Sequence, residues 1–473
     1  MSEIISLKME FERRYGINKA YLTMMGKRQE LNLPSNFDYF VIDATRPTDL
    51  GESEFYEIRL TRNGHAEPIA VIIAKKYTGQ RFDVFDRKVS ELNGLKTEAK
   101  NPVEQDAIFL PYFGDITVYD HLPQHDLLLM ERWGDSEGNY SLEDRLTRLH
   151  RLYIGGDQYQ KKGITNRVKG DLAGVIDLAR EHFVKATQDF NIANEEQKQA
   201  TVFYDQNGNP RMNTPSISFF VDRINKYLEE IFEISYYRAR RLIDKATQLP
   251  VTDSVEVSRM NTRRNELFER LGDKYENEIA ALAGALAFKN RGIVHFDTRT
   301  PNVLVRDHNM GFCDYEKISL ATGAIDPAII VNDPIVRGFS IPLNERIELL
   351  ERASLDKETI IDAMVWSILR LSGAQAMLQI FHPTKYMLLL QRSQLYDNGR
   401  IISHCLKDLD ILLEGSRKYP TIREAIKSMQ EVNSDWKRRT SPIAKQRIIE
   451  RITEERRPGY PKLPNGEKNK VPA

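Results

Sequence analysis

The stretch from Gly292 to Val305, Gly-Ile-Val-His-Phe-Asp-Thr-Arg-Thr-Pro-Asn-Val-Leu-Val, constrains this chain most, because it sets Asp297 and Asn302 on one short polar loop between apolar runs. A carboxylate at Asp297 is suited to accept or orient the proton of an attacking hydroxyl, and the amide oxygen of Asn302 is suited to ligate magnesium. Just downstream, the apolar Gly311-Phe312-Cys313 leads into Asp314-Tyr315-Glu316, which offers a second carboxylate at a strand end. Two such oxygens flanking a hairpin suit a hard, oxygen-seeking cation.

A chain of 473 residues has room for two or three domains and a large buried core. Its 68 basic and 68 acidic residues cancel, so no global field argues for a nucleic-acid or membrane partner. With Cys313 and Cys405 as the sole cysteines and no charged-then-apolar signal at Met1, a reduced, cytoplasmic setting is expected. The most apolar long stretch, Met364 to Phe381, is interrupted by Arg370, Gln375 and Gln379, and reads as a buried helix instead of a membrane span.

The first third of the chain is β-prone. Phe37 to Ile42 is strand-like, and the runs Phe55 to Leu60 and Ile69 to Tyr77 flank Asn63-Gly64, the strongest short hairpin signal. Ala107 to Tyr112 and Leu127 to Met130 read as further strands, with a helical stretch from Asp83 to Lys96 before them and another from Lys8 to Tyr15 near the start. Ser141-Leu142-Glu143-Asp144 is a capping-box pattern that opens a helix. Beyond it, Phe220, Ile224, Tyr227, Leu228, Ile231 and Ile234 recur at helical spacing, and Asp205 to Pro210 is a breaker-rich turn. Arg238, Arg240 and Arg241 beside Tyr236 and Tyr237 read as a solvated basic helix face, with recognition of a phosphate as the alternative. A helix from Tyr275 to Asn290 is expected to cap at Arg291-Gly292 and deliver the polar loop.

In type and order, His295, Asp297, Asn302 and Asp314 match the pattern H-x-D-x-x-x-x-N followed by D-F-G, and from Leu50 to Glu424 the chain resembles the protein-kinase-like superfamily. Phe296 stands where many protein kinases have Arg, and Glu316 where they have Gly. The resemblance implies an α+β, bilobal fold with a small antiparallel-sheet N-lobe and a helical C-lobe carrying a large helical insert. It implies ATP and Mg2+ as cofactors. Asp297 would orient the acceptor hydroxyl, Arg299 would neutralise the γ-phosphate in the role usually given to Lys, and Asn302 and Asp314 would hold the metal.

For the nucleotide, the same resemblance aligns Leu50 to Leu60 with the glycine-rich loop. Gly51 is kept there, Ser53 and Tyr56 replace the other two glycines, and Ile58 would lie against adenine. Lys75 or Lys76 would reach the phosphates, paired with Glu91; Met130 would be the gatekeeper, and backbone groups around Glu131 to Trp133 would bond the base. The activation segment would fall between Lys317 and Lys357. No A-P-E is present, Tyr419 stands where the late R-P-T motif has Arg, and Met364 replaces the Asp of D-x-W-S.

The expected organisation is an N-terminal extension (1–47), an N-lobe (48–130), a hinge and first helix (131–147), a helical insert (148–271), a C-lobe (272–435) and a basic, disordered tail (436–473). The function favoured is a Ser/Thr protein kinase; a choline- or aminoglycoside-type small-molecule kinase and a pseudokinase without turnover are the alternatives. The acceptor is a protein or small-molecule hydroxyl, and no nucleic-acid partner or membrane span is expected.

Overall fold

The computed structural model describes residues 39–45, 53–61, 70–77, 118–122, 127–131, 133–134, 138–192, 203–204, 210–211, 217–240, 242, 253–307, 309–313, 319–352, 355–381 and 398–433. The expected helices Lys8 to Tyr15 and Asp83 to Lys96, the strand Ala107 to Tyr112, the tail, and the site residues Gly51, Glu91 and Asp314 lie outside them.

Five strands form one antiparallel sheet: β1 (Tyr39–Thr45), β2 (Ser53–Thr61), β3 (Ala70–Tyr77), β4 (Val118–Leu122) and β5 (Leu127–Glu131), in the order β1-β2-β3-β5-β4. The β2–β3 register runs from Leu60↔Ala70 to Ser53↔Tyr77, so the connection carrying Asn63-Gly64 closes the hairpin that the sequence predicts. Strand alternation separates the two lysines. Ile58 pairs with Ile72, Tyr56 with Ala74 and Glu54 with Lys76, which places Ile58, Ala74 and Lys76 on one face of the sheet. Lys75 and Met130 take the other face, because Lys75 pairs with Leu128 and Ile73 with Met130.

The rest is mostly helical. α1 (Leu142–Gly155) begins at the capping box: Asp144 N–H donates to Ser141 Oγ at 3.2 Å, and Ser141 N–H donates to Asp144 Oδ2 at 3.1 Å. Then follow α2 (Gln158–Ile192), a short hairpin of β6 (Phe203–Tyr204) and β7 (Pro210–Arg211) at the expected turn, α3 (Ile217–Ala239) and α4 (Ser254–Phe288). On α3 the helical repeat buries Phe220, Ile224, Leu228, Ile231 and Ile234 as expected. Its C-terminal end departs from the sequence reading, because Tyr236, Tyr237 and Arg238 are all buried and do not form a solvated basic face. α4 is broken at Gly272, whose φ of 55° and ψ of −154° interrupt the helix beside the expected boundary between insert and C-lobe.

The end of α4 also differs from expectation. The helix stops at Phe288, Lys289 is its C-cap and Asn290 takes the left-handed turn (φ 47°), while Gly292 lies inside β8 (Arg291–Val294). Glycine is needed there for another reason. Thr187 Oγ1 accepts the N–H of Ile293 at 3.0 Å, and a Cβ on Gly292 would overlap that hydroxyl and lie 2.5 Å from the Phe183 ring.

Beyond β8 come the hairpin β9 (Val303–Arg306) and β10 (Asn309–Phe312), and β11 (Ser319–Thr322), which pairs antiparallel with β8. The helices α5 (Ile325–Val331), α6 (Pro334–Arg337), α7 (Leu343–Arg352), α8 (Lys357–Phe381), α9 (Asn398–Ser416) and α10 (Pro420–Asn433) complete the chain. Among the described residues of the stretch that would hold a protein-kinase activation segment, 319–352 form β11 and four-to-ten-residue helices, with every residue of α5 buried. As expected, α8 is apolar nearly all round and forms the middle of the core against α3, α5 and α9. Among the described residues no helix is long and apolar enough to cross a membrane. The late motif is joined to α8 without the usual Arg, since Tyr419 Oη and Lys418 Nζ both donate to Asp362 Oδ1, at 2.9 and 2.6 Å.

Candidate active site

Residues 295–302 form a loop between β8 and β9 whose backbone is held by two buried carboxylates at either end of α5. Asp326 accepts the N–H of His295 at 2.6 Å and of Phe296 at 2.8 Å, and its carbonyl accepts Thr298 Oγ1 at 2.8 Å. Asp333 accepts Thr300 N–H and, as the N-cap of α6, Ile335 N–H, both at 3.0 Å. Burial pushes both carboxyls above their usual range, against the backbone N–H groups that favour the charged form. Every buried donor in such a loop needs an acceptor, and these two side chains supply it for His295, Phe296 and Thr300.

Phe296 sits in the left-handed region (φ 65°), which is uncommon for a bulky residue. Its ring explains the tolerance: it lies among Phe219, Phe220 and Trp366, with centroids 6.1, 6.1 and 6.3 Å away, so the residue that replaces Arg here belongs to the core.

Next in the chain, Asp297 is 1% exposed. Its Oδ1 accepts Arg299 Nε at 3.0 Å and Arg370 Nη2 at 2.7 Å; its Oδ2 accepts Arg299 Nη2 at 3.3 Å and Asn302 Nδ2 at 3.4 Å. Asn302 Nδ2 also donates to the Asp297 carbonyl at 2.8 Å, which turns the amide oxygen to the opposite side. His295 joins the loop to the next hairpin: Nε2 donates to the Cys313 carbonyl at 2.8 Å and Nδ1 accepts Asp297 N–H at 3.3 Å. Cys313 N–H in turn donates to the Asn302 carbonyl at 3.0 Å, so position 314 follows directly on a residue bonded to Asn302.

Of the residues singled out in the sequence, Arg299 and Asn302 both contact Asp297. Trp133 stacks under the Arg306 guanidinium, 5.9 Å from its ring centroid, where the segment after β5 runs along β9; Tyr140 carbonyl accepts Val305 N–H at 3.2 Å. Ile58, Lys75, Lys76, Met130 and Glu131 occupy the sheet positions given above. Sequence reasoning missed Arg370, Asp326 and Asp333. A signal existed for Arg370, as a lone cation inside an apolar helix requires a buried partner. Among the described residues no three His, Cys, Asp or Glu side chains converge as a metal site, and the oxygen donor that the loop offers is the amide of Asn302. An amide oxygen fits a hard cation that keeps several waters better than zinc or a softer metal.

Neither a protein-family model nor a curated protein sequence matches the chain. Among solved structures it is similar to choline kinase from Cryptosporidium parvum Iowa II, at 12% identity and a TM-score of 0.41 over 83% of this chain and 94% of the other. It is also similar to Plasmodium vivax ethanolamine kinase, at 12% identity and a TM-score of 0.39 over 82% and 92%. For spectinomycin phosphotransferase in complex with ADP and spectinomycin the values are 10%, 0.34, 78% and 93%. Overlaps of this size leave the chemistry to be decided by this chain's own residues.

Proposed function

We propose that the chain is a bilobal phosphotransferase of the protein-kinase-like type, which moves the γ-phosphoryl group of Mg-ATP to a hydroxyl of a small molecule. The observation that supports it most is the placing of Asp297, Arg299 and Asn302 on one loop, where a buried carboxylate accepts from a half-exposed arginine side chain and from the Asn302 amide. In this reading 48–130 forms the sheet lobe and 272–435 the helical lobe, with the 148–271 insert packed on the latter.

Asn302 Oδ1 and Asp314 would hold magnesium, which when bound neutralises charge on the triphosphate. Lys76 is the lysine for the α- and β-phosphates, because it shares a sheet face with Ile58 and Ala74, and Lys75 lies on the opposite face. Asp297 accepts a hydrogen bond from the acceptor hydroxyl and orients it toward the γ-phosphorus. As the new P–O bond forms, the bond to the β–γ bridging oxygen breaks, ADP leaves, and the hydroxyl proton passes by way of Asp297 to solvent. Arg299 neutralises the equatorial phosphate oxygens; charge stabilisation and positioning supply nearly all the catalysis in such a reaction.

This departs from the protein acceptor that the sequence favours. Five residues separate Cys313 from β11, which returns to pair with β8, and the chain then enters the buried α5, so the usual protein-kinase platform for an extended peptide is replaced by core. The insert helix α3 closes one side of the loop, through Phe219 and Phe220 against Phe296. A compact acceptor of the choline or aminoglycoside kind suits that site. The test is transfer of label from γ-labelled ATP to a panel of amino alcohols, amino sugars and protein substrates. Label on a small molecule, abolished by Asp297→Ala, is expected; equal transfer by both proteins, or transfer to protein alone, would remove the proposal.

A further inference from the structure

Arg370 is the charge that the rest of α8 does not account for. The helix is apolar from Ile360 to Leu369 apart from Asp362 and Ser367, and a charged group there is costly unless paired. Its Nη2 makes the shortest of the Asp297 contacts given above, 2.7 Å, and makes it to Oδ1. The Arg370 side chain is only 19% exposed, against 48% for that of Arg299. Its backbone is rigidly seated: one turn further along α8, Gly373 receives the Tyr227 ring of α3, and Trp366, one turn back, meets the same ring at 5.6 Å.

Two guanidiniums on one carboxylate serve different ends. Arg299 is carried by the loop, is half exposed, and in the function proposed above belongs to the γ-phosphate. Arg370 is carried by a buried helix, and its side chain is the less exposed of the two. We infer that Arg370 is a positioning residue that keeps hold of Asp297 Oδ1 when Arg299 turns to the phosphate, and so fixes the rotation of the carboxylate and the direction in which Oδ2 meets the acceptor hydroxyl. A planar guanidinium does this better than an ammonium, because its fork sets an orientation as well as a charge. The inference rests on the phosphotransferase reading of Asp297 and adds a residue to it.

Steady-state kinetics with the labelled-transfer assay test it, using full-length Arg370→Ala, Arg370→Met and Asp297→Ala, with melting temperatures measured for each. A misplaced group of this kind costs roughly 100-fold in rate, so kcat of Arg370→Ala should fall by about that factor while KM for ATP stays within about two-fold. Millimolar guanidinium ion should restore part of kcat in Arg370→Ala and none in Arg370→Met, where the methionine fills the space. The inference is overturned if Arg370→Ala keeps wild-type kcat, if the loss lies in KM alone, or if guanidinium restores nothing in a variant that melts like the wild type. If Asp297→Ala itself transfers phosphate normally, it is the underlying reading that fails. Should Arg370→Ala not fold, Arg370→Met carries the same kcat comparison.

Discussion

Asp326 grips the peptide on both sides of His295, taking the N–H of His295 at 2.6 Å and of Phe296 at 2.8 Å on its two oxygens. Replacing it by Ala would leave two buried donors without acceptors, each costing about 1–3 kcal/mol. Asp326→Ala is therefore expected to lower stability by several kcal/mol and to lose activity with it. Asp326→Asn should recover only part, since an amide has one accepting oxygen where the loop presents two donors. Urea midpoints and hydrogen exchange at His295 and Phe296 would check this, and unchanged exchange would contradict it.

Tyr227 and Gly373 give a second test. A Cβ on Gly373 would lie 2.5 Å from the Tyr227 ring, so Gly373→Ala should overpack the contact between α3 and α8 by about 1–3 kcal/mol. Removing the ring should lift part of that conflict and leave the Cβ of residue 227, 2.8 Å away, as the remainder. In the double variant Gly373→Ala with Tyr227→Ala the two losses should fall short of their sum, and strict additivity in melting experiments would show that the helices are not in contact there.

The pH dependence of stability should reveal Glu230. This residue of α3 is 5% exposed, and among the described residues neither of its oxygens meets a hydrogen-bond donor; Lys226 Nζ is 3.9 Å away. Burial raises its pKa to about 7. Below the ordinary carboxyl value of 4.5 both folded and unfolded states carry the proton; between there and 7 only the folded state does, so stability falls as pH rises through that window. Glu230→Gln escapes the penalty. It should be more stable than the wild type by up to about 3 kcal/mol at pH 8 and no different at pH 4. A constant difference across the range would refute the assignment.

On the acid side the sign reverses. Burial lowers His150 and His182 to about 4, so both imidazoles are neutral in the fold at pH values where the unfolded chain already holds a proton. Stability should drop as pH falls from about 6.5 toward 4. NMR titration of the two rings would show midpoints well below 6, and ordinary midpoints would remove the effect.

Phe296 is expected to resist conversion to the protein-kinase residue. Phe296→Arg would bury a charge among Phe219, Phe220 and Trp366 and should destabilise far more than Phe296→Leu, for which a volume-conserving exchange costs about 1.5 kcal/mol or less. Thermal melting of the pair decides it, and equal losses would place the ring outside the core.

Much of the local structure was legible from residue order. The Ser141 capping box, the β2–β3 hairpin, the burial stripe of α3 and the all-round apolar α8 are each set by neighbours within a few residues, and short-range geometry decides them. Asp297 and Asn302 could be placed together because they are five residues apart on one loop. The helix stop was put two residues late for want of a long-range fact: Gly292 answers to Phe183 and Thr187, more than a hundred positions earlier.

What the sequence determined by itself is therefore the identity of the polar groups and the order in which the loop presents them. Only the tertiary structure decided that Asp326 and Asp333 hold the loop's amides, that Phe296 turns into an aromatic core, and that Arg370, seventy-three residues on, closes over Asp297. These pairings arise where helices cross. A buried charge reveals that it needs a counterpart, but the packing of one helix on another selects which one it meets.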